Sequence, residues 1–193
     1  MNTKMSAHPE FTNLGQPSNL RPVKRVLTTH DSTGQTKIHS AEPCTWQRYQ
    51  GDAVGFNYLY STTEFPVTFT NETDIEAFNT LKSNDKLDLT QPNGTVVLMV
   101  EFAPGFLSSM HRTQSLDYGV VIEGDVELKL DSGEVQSLKK GDVVVQRGTN
   151  HAWRNTSETE WARMLFVLQH SNAVEVGDKK LERFMEIPLE RSS

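Results

Sequence analysis

Three features of the sequence predict an all-β fold, an antiparallel sandwich or barrel. From Gly94 onward, short apolar or β-branched runs alternate with turn residues at close spacing. Val54 to Ser61 alternates Val54, Phe56, Tyr58 and Tyr60 against Gly55, Asn57, Leu59 and Ser61, the period of a strand with an aromatic face. A single stretch, about 74–82, carries helical spacing, through Ile75, Phe78 and Leu81.

The 193 residues suffice for one domain with additions. Net charge is −6, and no basic stripe of the kind that tracks nucleic acid is visible. No apolar run approaches the roughly 20 residues needed to cross a bilayer. The first ten residues are polar and lack the apolar core of a signal peptide. Cys44 is the sole cysteine, which fits a reducing compartment. These features point to a cytoplasmic protein with neither nucleic-acid nor membrane partners.

Residues 1–20 are polar, with Pro9, Gly15 and Pro17, and read as a flexible arm that docks at most at its end. A β extension with a short helix follows over 21–93. It opens with a hairpin: Arg21 to Thr29 alternates, the run at 30–34 turns, and Lys37 to Ser40 returns. Trp46 and Tyr49 are read as anchors of a loop onto the barrel. After Val54 to Ser61, a short strand is expected at Val67 to Thr70. The helix is expected to open with a capping box, Thr73 with Glu76. The main barrel spans 94–170. Its strands are Thr95 to Ala103, Tyr118 to Glu123, Asp125 to Leu130, Val135 to Leu138, Val143 to Gln146, His151 to Asn155 and Ala162 to Leu168. The tail, 171–193, ends in Leu181, Phe184, Met185 and Ile187, expected to pack back on the barrel.

Two motifs stand inside the barrel. The first is Pro104-Gly105, then His111, Thr113, Asp117 and Gly124. The second is Gly141-Asp142, then Arg147-Gly148, His151 and Asn155. Together, in this order and spacing, they resemble the two motifs of the cupins, over roughly Gly94 to His170. The resemblance implies a double-stranded β-helix, or jelly roll, and a homodimer, often through exchanged N-terminal strands; the 22–40 hairpin is then the exchanging element. In metal-binding cupins two histidines and a glutamate of motif one, with the histidine of motif two, surround one divalent metal. Here those positions hold His111, Thr113, Asp117 and His151. Strand alternation sends His111, Thr113, Ser115 and Asp117 to one side, and His151, Trp153 and Asn155 likewise to one side.

Two readings of the site stand side by side. In one, His111, Asp117 and His151 hold a divalent metal weakly (iron, zinc, manganese or nickel), a two-histidine-one-carboxylate set associated with dioxygenases. In the other, the same three residues work without metal as acid, base and orienter. Thr113, Ser115, Arg147 and Trp153 are the expected substrate contacts. An apolar wall is expected from Val121, Val143, Val145 and Phe166. Glu101 is read as facing either cavity or solvent. The expected activity is that of a small-molecule enzyme of lyase or isomerase type, decarboxylating or dehydrating an organic acid or polyketide-like intermediate. A metal-dependent dioxygenase and a non-catalytic binding barrel are the alternatives.

Overall fold

The computed structural model describes residues 14–192, so most of the expected arm lies outside the described residues. In chain order the strands are β1 (Lys24–His30), β2 (Thr36–Pro43), β3 (Gln47–Tyr49) and β4 (Val54–Ser61). The helix α1 (Thr73–Ser83) comes next, then β5 (Thr95–Phe102), β6 (His111–Arg112) and β7 (Ser115–Glu123). There follow β8 (Val126–Leu130), β9 (Val135–Leu138), β10 (Val143–Arg147), β11 (His151–Asn155) and β12 (Ala162–His170). The tail adds β13 (Val174–Val176), β14 (Lys179–Leu181) and β15 (Phe184–Met185).

Two antiparallel sheets carry the fold. The first has the order β10-β7-β12-β5-β4-β3, the second β15-β6-β11-β8-β9. This is the expected all-β jelly roll with one short helix. The first sheet's inner face is built by alternation. Val96, Leu98, Val100 and Phe102 of β5 stand opposite Leu168, Phe166, Met164 and Ala162 of β12, and all eight are buried. Gly119 lies beside this row because a Cβ there would stand 2.9 Å from a ring carbon of Phe166. Motif one ends on Gly124, whose positive φ of 78° suits glycine and whose Cβ would meet Ala162 at 3.0 Å. Asn155, fully buried, donates from its amide to Phe102 O, Ala103 O and Glu160 O and accepts from Ser157 N. That residue therefore ties the end of β11 to the loops beside it.

The other face of the first sheet is covered as well. Gln16 and Ser18 are buried, and Pro17 and Trp46 lie against Gly55. Beneath them sits a buried ion pair. Glu101 and Arg163 are Cα partners across β5 and β12, and Arg163 Nε and Nη2 both donate to Glu101 Oε1. Arg163 Nη1 donates to Arg21 O at 2.8 Å, and its guanidinium lies over the Trp46 ring. Glu101 thus faces neither cavity nor solvent; it faces a second, outer layer.

Three local expectations are corrected. Residues 67–69 form no strand: the chain after Pro66 is irregular and leads into a 3-10 turn at Thr70–Glu72. The helix spans Thr73–Ser83 without a capping box, because the Thr73 hydroxyl donates backward to Thr68 O instead. Val143 and Val145 are exposed, since β10 is an edge strand of the first sheet with Gln146 on its inner side.

Candidate functional site

A cavity of about 170 Å³ lies between the sheets. Its walls include Phe56, Phe102, Phe106, Trp153 and Phe166, and its polar end holds His111, His151, Thr113 and Asp117. Motif one delivers these residues from two sheets. β6 is only two residues long and belongs to the second sheet, beside β11; after Thr113 and Gln114 the chain enters β7, in the first sheet. Motif one therefore crosses the barrel within a few residues.

His111 and His151 are Cα partners across β6 and β11, with ring centroids 4.2 Å apart. His111 Nδ1 lies 2.9 Å from Ser109 O, and His151 Nδ1 lies 3.0 Å from Thr149 O. A carbonyl oxygen only accepts, so each Nδ1 carries the hydrogen and each Nε2 is left with a free lone pair. Burial holds the His111 pKa below its ordinary value, against the pull of the Ser109 carbonyl. Burial, and then the neighbouring His111 ring, push His151 down to about 3. Both rings are neutral at pH 7. His151 packs edge-on to Trp153, which packs edge-on to Phe166.

Asp117 is buried in β7, with Gln146 and Leu168 as its Cα partners on either side. Its Oδ2 accepts from the Thr113 hydroxyl at 3.1 Å, and its Oδ1 has no hydrogen-bond partner. Burial pushes its pKa up to about 6, opposed by the nearby Ser115 and Thr113 hydroxyls. Ser115 is itself buried but off the cavity lining, and its hydroxyl lies outside hydrogen-bond geometry. Arg147 is exposed and does not reach the cavity, because it follows inward Gln146 on the strand. Among the described residues, no lysine or arginine lines the cavity.

The metal reading meets a geometric obstacle. Among the described residues, no three His, Cys, Asp or Glu side chains are grouped to hold a metal ion. The two histidines stand on one sheet and Asp117 on the other, where Thr113 occupies one of its oxygens. The structure brings His111 and His151 together and leaves Asp117 across the cavity. A centre with those three protein ligands does not fit this arrangement.

One wall went unread in the sequence. The C-terminal segment runs from β15, paired with β6, to the edge strand β3. Along it Glu186 N donates to Met110 O, Gln50 N donates to Glu190 O, and Ser192 N donates to Arg48 O. Met185, Ile187 and Leu189 alternate along this strap and line the cavity. Their every-second-residue spacing was the available signal.

Comparisons with known proteins agree with this fold. A family model described as Cupin domain matches residues 98–168. The chain is 43% identical over 166 residues to Phomopsin biosynthesis cluster protein C' of Diaporthe leptostromiformis, covering 84% of this chain and 86% of that one. It is 40% identical over 169 residues to the cupin-domain-containing oxidoreductase fogC of Aspergillus ruber, covering 86% and 81%. Among solved structures, the polyketide cyclase RemF of Streptomyces resistomycificus matches at 17% identity and a TM-score of 0.43, over 77% of this chain and 79% of that one. A likeness at that level carries no functional information.

Proposed function

This chain belongs to the cupin superfamily, and from that premise we propose that it is an enzyme of secondary-metabolite biosynthesis that moves protons on a bound small molecule. The observation that carries the reading is the pair of neutral imidazoles, each presenting a bare Nε2, at the polar end of an apolar cavity with Asp117 opposite. A hydroxyl or acidic C–H placed against these rings meets a bare Nε2, and Asp117, at about 6, is a stronger proton acceptor than His151, at about 3. The Nδ1–H bond to Ser109 O or Thr149 O strengthens as the ring becomes cationic. Asp117, ionised above pH 6, supplies the balancing charge across the cavity.

The relatives favour redox chemistry as the reaction class. Several, including those of Aspergillus ruber, Neurospora crassa and Hypocrea virens, are named cupin-domain-containing oxidoreductases. None of the relatives compared carries a lyase or isomerase name, so that expectation is not supported by them. Acid–base chemistry alone remains the second reading, because the side chains present suffice for it.

The pH profile tests the assignment. With Asp117 at about 6, kcat/KM should rise with pH up to about 6 and level off above it. Asp117→Asn should remove that limb; a limb that persists in the variant would mean another group titrates. Product masses from the same assays sort redox chemistry from isomerisation. Stability carries a second sign. The folded pKa of Asp117 lies above its unfolded value of 3.8. Its contribution is thus fully present below pH 4 and lost as pH rises through 6. Asp117→Asn should accordingly melt higher than wild type at pH 8 and show no such gain at pH 4.

A further inference from the structure

The lining of the cavity says more than that it moves protons. It is mostly hydrocarbon, and among the described residues its only group charged at neutral pH is Asp117, an anion. An acidic substrate would surrender its hydration to a space with no cation to meet it. It would also face a like charge. A cationic substrate would find a single carboxylate, already bonded to Thr113, at the end of an apolar passage. The volume, about 170 Å³, is a one-ring volume; a dry protein cavity of about 150 Å³ takes up benzene.

The mouth presents large apolar side chains. Leu107 and Ile187 line the cavity and are also 51% and 57% exposed, so they mark where it opens. By contrast His111, Thr113, Asp117 and His151 in the same lining are buried or half-buried. Gln50 and Ser109 also line the cavity, but both are tied to the strap's backbone, Gln50 Nε2 donating to Pro188 O and Ser109 Oγ to Ile187 O, so the exposed side chains there are the hydrocarbon ones.

We propose that the site takes an uncharged single-ring molecule with a neutral oxygen function at one end and a hydrocarbon tail at the other, entering oxygen first. The oxygen function sits among the imidazoles, where a hydroxyl donates to a bare Nε2. The ring fills the aromatic chamber between Phe102, Phe106 and Trp153. The tail leaves between Leu107 on the loop after β5 and Ile187 on the C-terminal strap. This deepens the proton-transfer reading and rests on it for the placement of the oxygen. It also replaces the organic acid expected from sequence, whose candidate partner, Arg147, is outside the cavity.

Calorimetric titration of the full chain, without turnover, tests it. The probes are phenol and para-alkyl phenols of increasing tail length, the matching para-alkyl benzoates, and para-alkyl benzylamines, all at pH 8. The phenols should bind at least tenfold tighter than benzoates or benzylamines of equal tail. Each added methylene should tighten binding by up to about fourfold until the tail clears the mouth. Leu107→Asp and Ile187→Asp should flatten that dependence for the longest tails and affect phenol least. Leu107→Ser and Ile187→Ser, gentler changes, should flatten it in part. Benzoates or amines binding as well as phenols would overturn the proposal. So would affinity independent of tail length, or mouth variants that weaken short and long probes alike. So would variants that change the sedimentation of the chain and leave the tail dependence intact, which would make the rim a contact between copies. Because binding is read without chemistry, a series that fails with the pH limb intact faults the substrate class alone. A series that holds while the limb is missing faults the proton-transfer reading.

Discussion

His111→Ala and His151→Ala are each expected to lower kcat/KM by about 10² to 10⁴, the usual contribution of a positioned acid or base. The two rings are Cα partners on adjacent strands, both neutral and both fixed by a backbone carbonyl at Nδ1. Removing either leaves the other ring in place but takes away one of the two bare nitrogens. The double variant should lose little more than the worse single one, because groups that act as a unit are not additive. His151 is almost fully buried and packs on Trp153, so its alanine variant also loses packing. His151→Gln keeps more volume and separates the effects: its fold should hold while turnover falls. Arg154→Ala is the contrast. Arg154 points outward to a partly exposed partner, Glu127, at 3.5 Å, and its loss should change turnover little. Melting curves recorded beside the kinetics distinguish lost chemistry from lost fold.

Arg163→Met should be the most destabilising single change outside the cavity, costing about 3–5 kcal/mol by urea unfolding at neutral pH. It strands Glu101, fully buried, without its guanidinium, and frees the Arg21 carbonyl as well. Most of the cost is the uncompensated charge, not the lost attraction. Two consequences follow from that physical cause. Glu101→Leu combined with Arg163→Met should recover most of the loss, since the pair leaves together. The deficit of Arg163→Met alone should also shrink on acidification, because a stranded carboxyl has a raised folded pKa and its penalty applies only where it would ionise. A deficit independent of pH, with no recovery in the double variant, would locate the effect in packing against Trp46. Turnover should be unaffected wherever the variant remains folded, because this pair lies on the face of the first sheet away from the cavity.

Much of the barrel was legible because alternation and turn spacing are local. β5, β8, β9 and β11 fall within a residue or two of their expected places, and His111 and His151 meet as motif spacing implies. What the motifs left hidden depends on which sheet a strand joins. Counting every second residue from His111 treats 111–117 as one strand. The chain in fact leaves β6 at Arg112 and enters the opposite sheet at Ser115. Inward parity survives the crossing, and common distance does not; Asp117 faces the imidazoles instead of joining them. On β10 an apolar run, Val143 to Val145, reads as core, yet its odd positions are exposed because they lie on the outer face of an edge strand. Glu101 was ambiguous for a similar reason. Its burial depends on residues near 16–21 and on Trp46, far away in sequence, folding over the outer face. The C-terminal strap bridges two sheet edges, and nothing local in Met185 to Leu189 names its partners.

Nitrogen-15 NMR of the two cavity imidazoles addresses the central claim most directly. Spectra of full-length chain labelled on histidine would be recorded from pH 8 to pH 5, assigned with the His111→Gln and His151→Gln variants. The account predicts that at pH 8 both rings are neutral with hydrogen on Nδ1 and a bare Nε2; His151 should stay so down to pH 5, His111 should gain its second proton only below the ordinary histidine value, and a para-alkyl phenol should shift Nε2. A ring that gains its second proton near the ordinary histidine value of about 6.5 would contradict it. So would hydrogen resident on either Nε2 in the free protein.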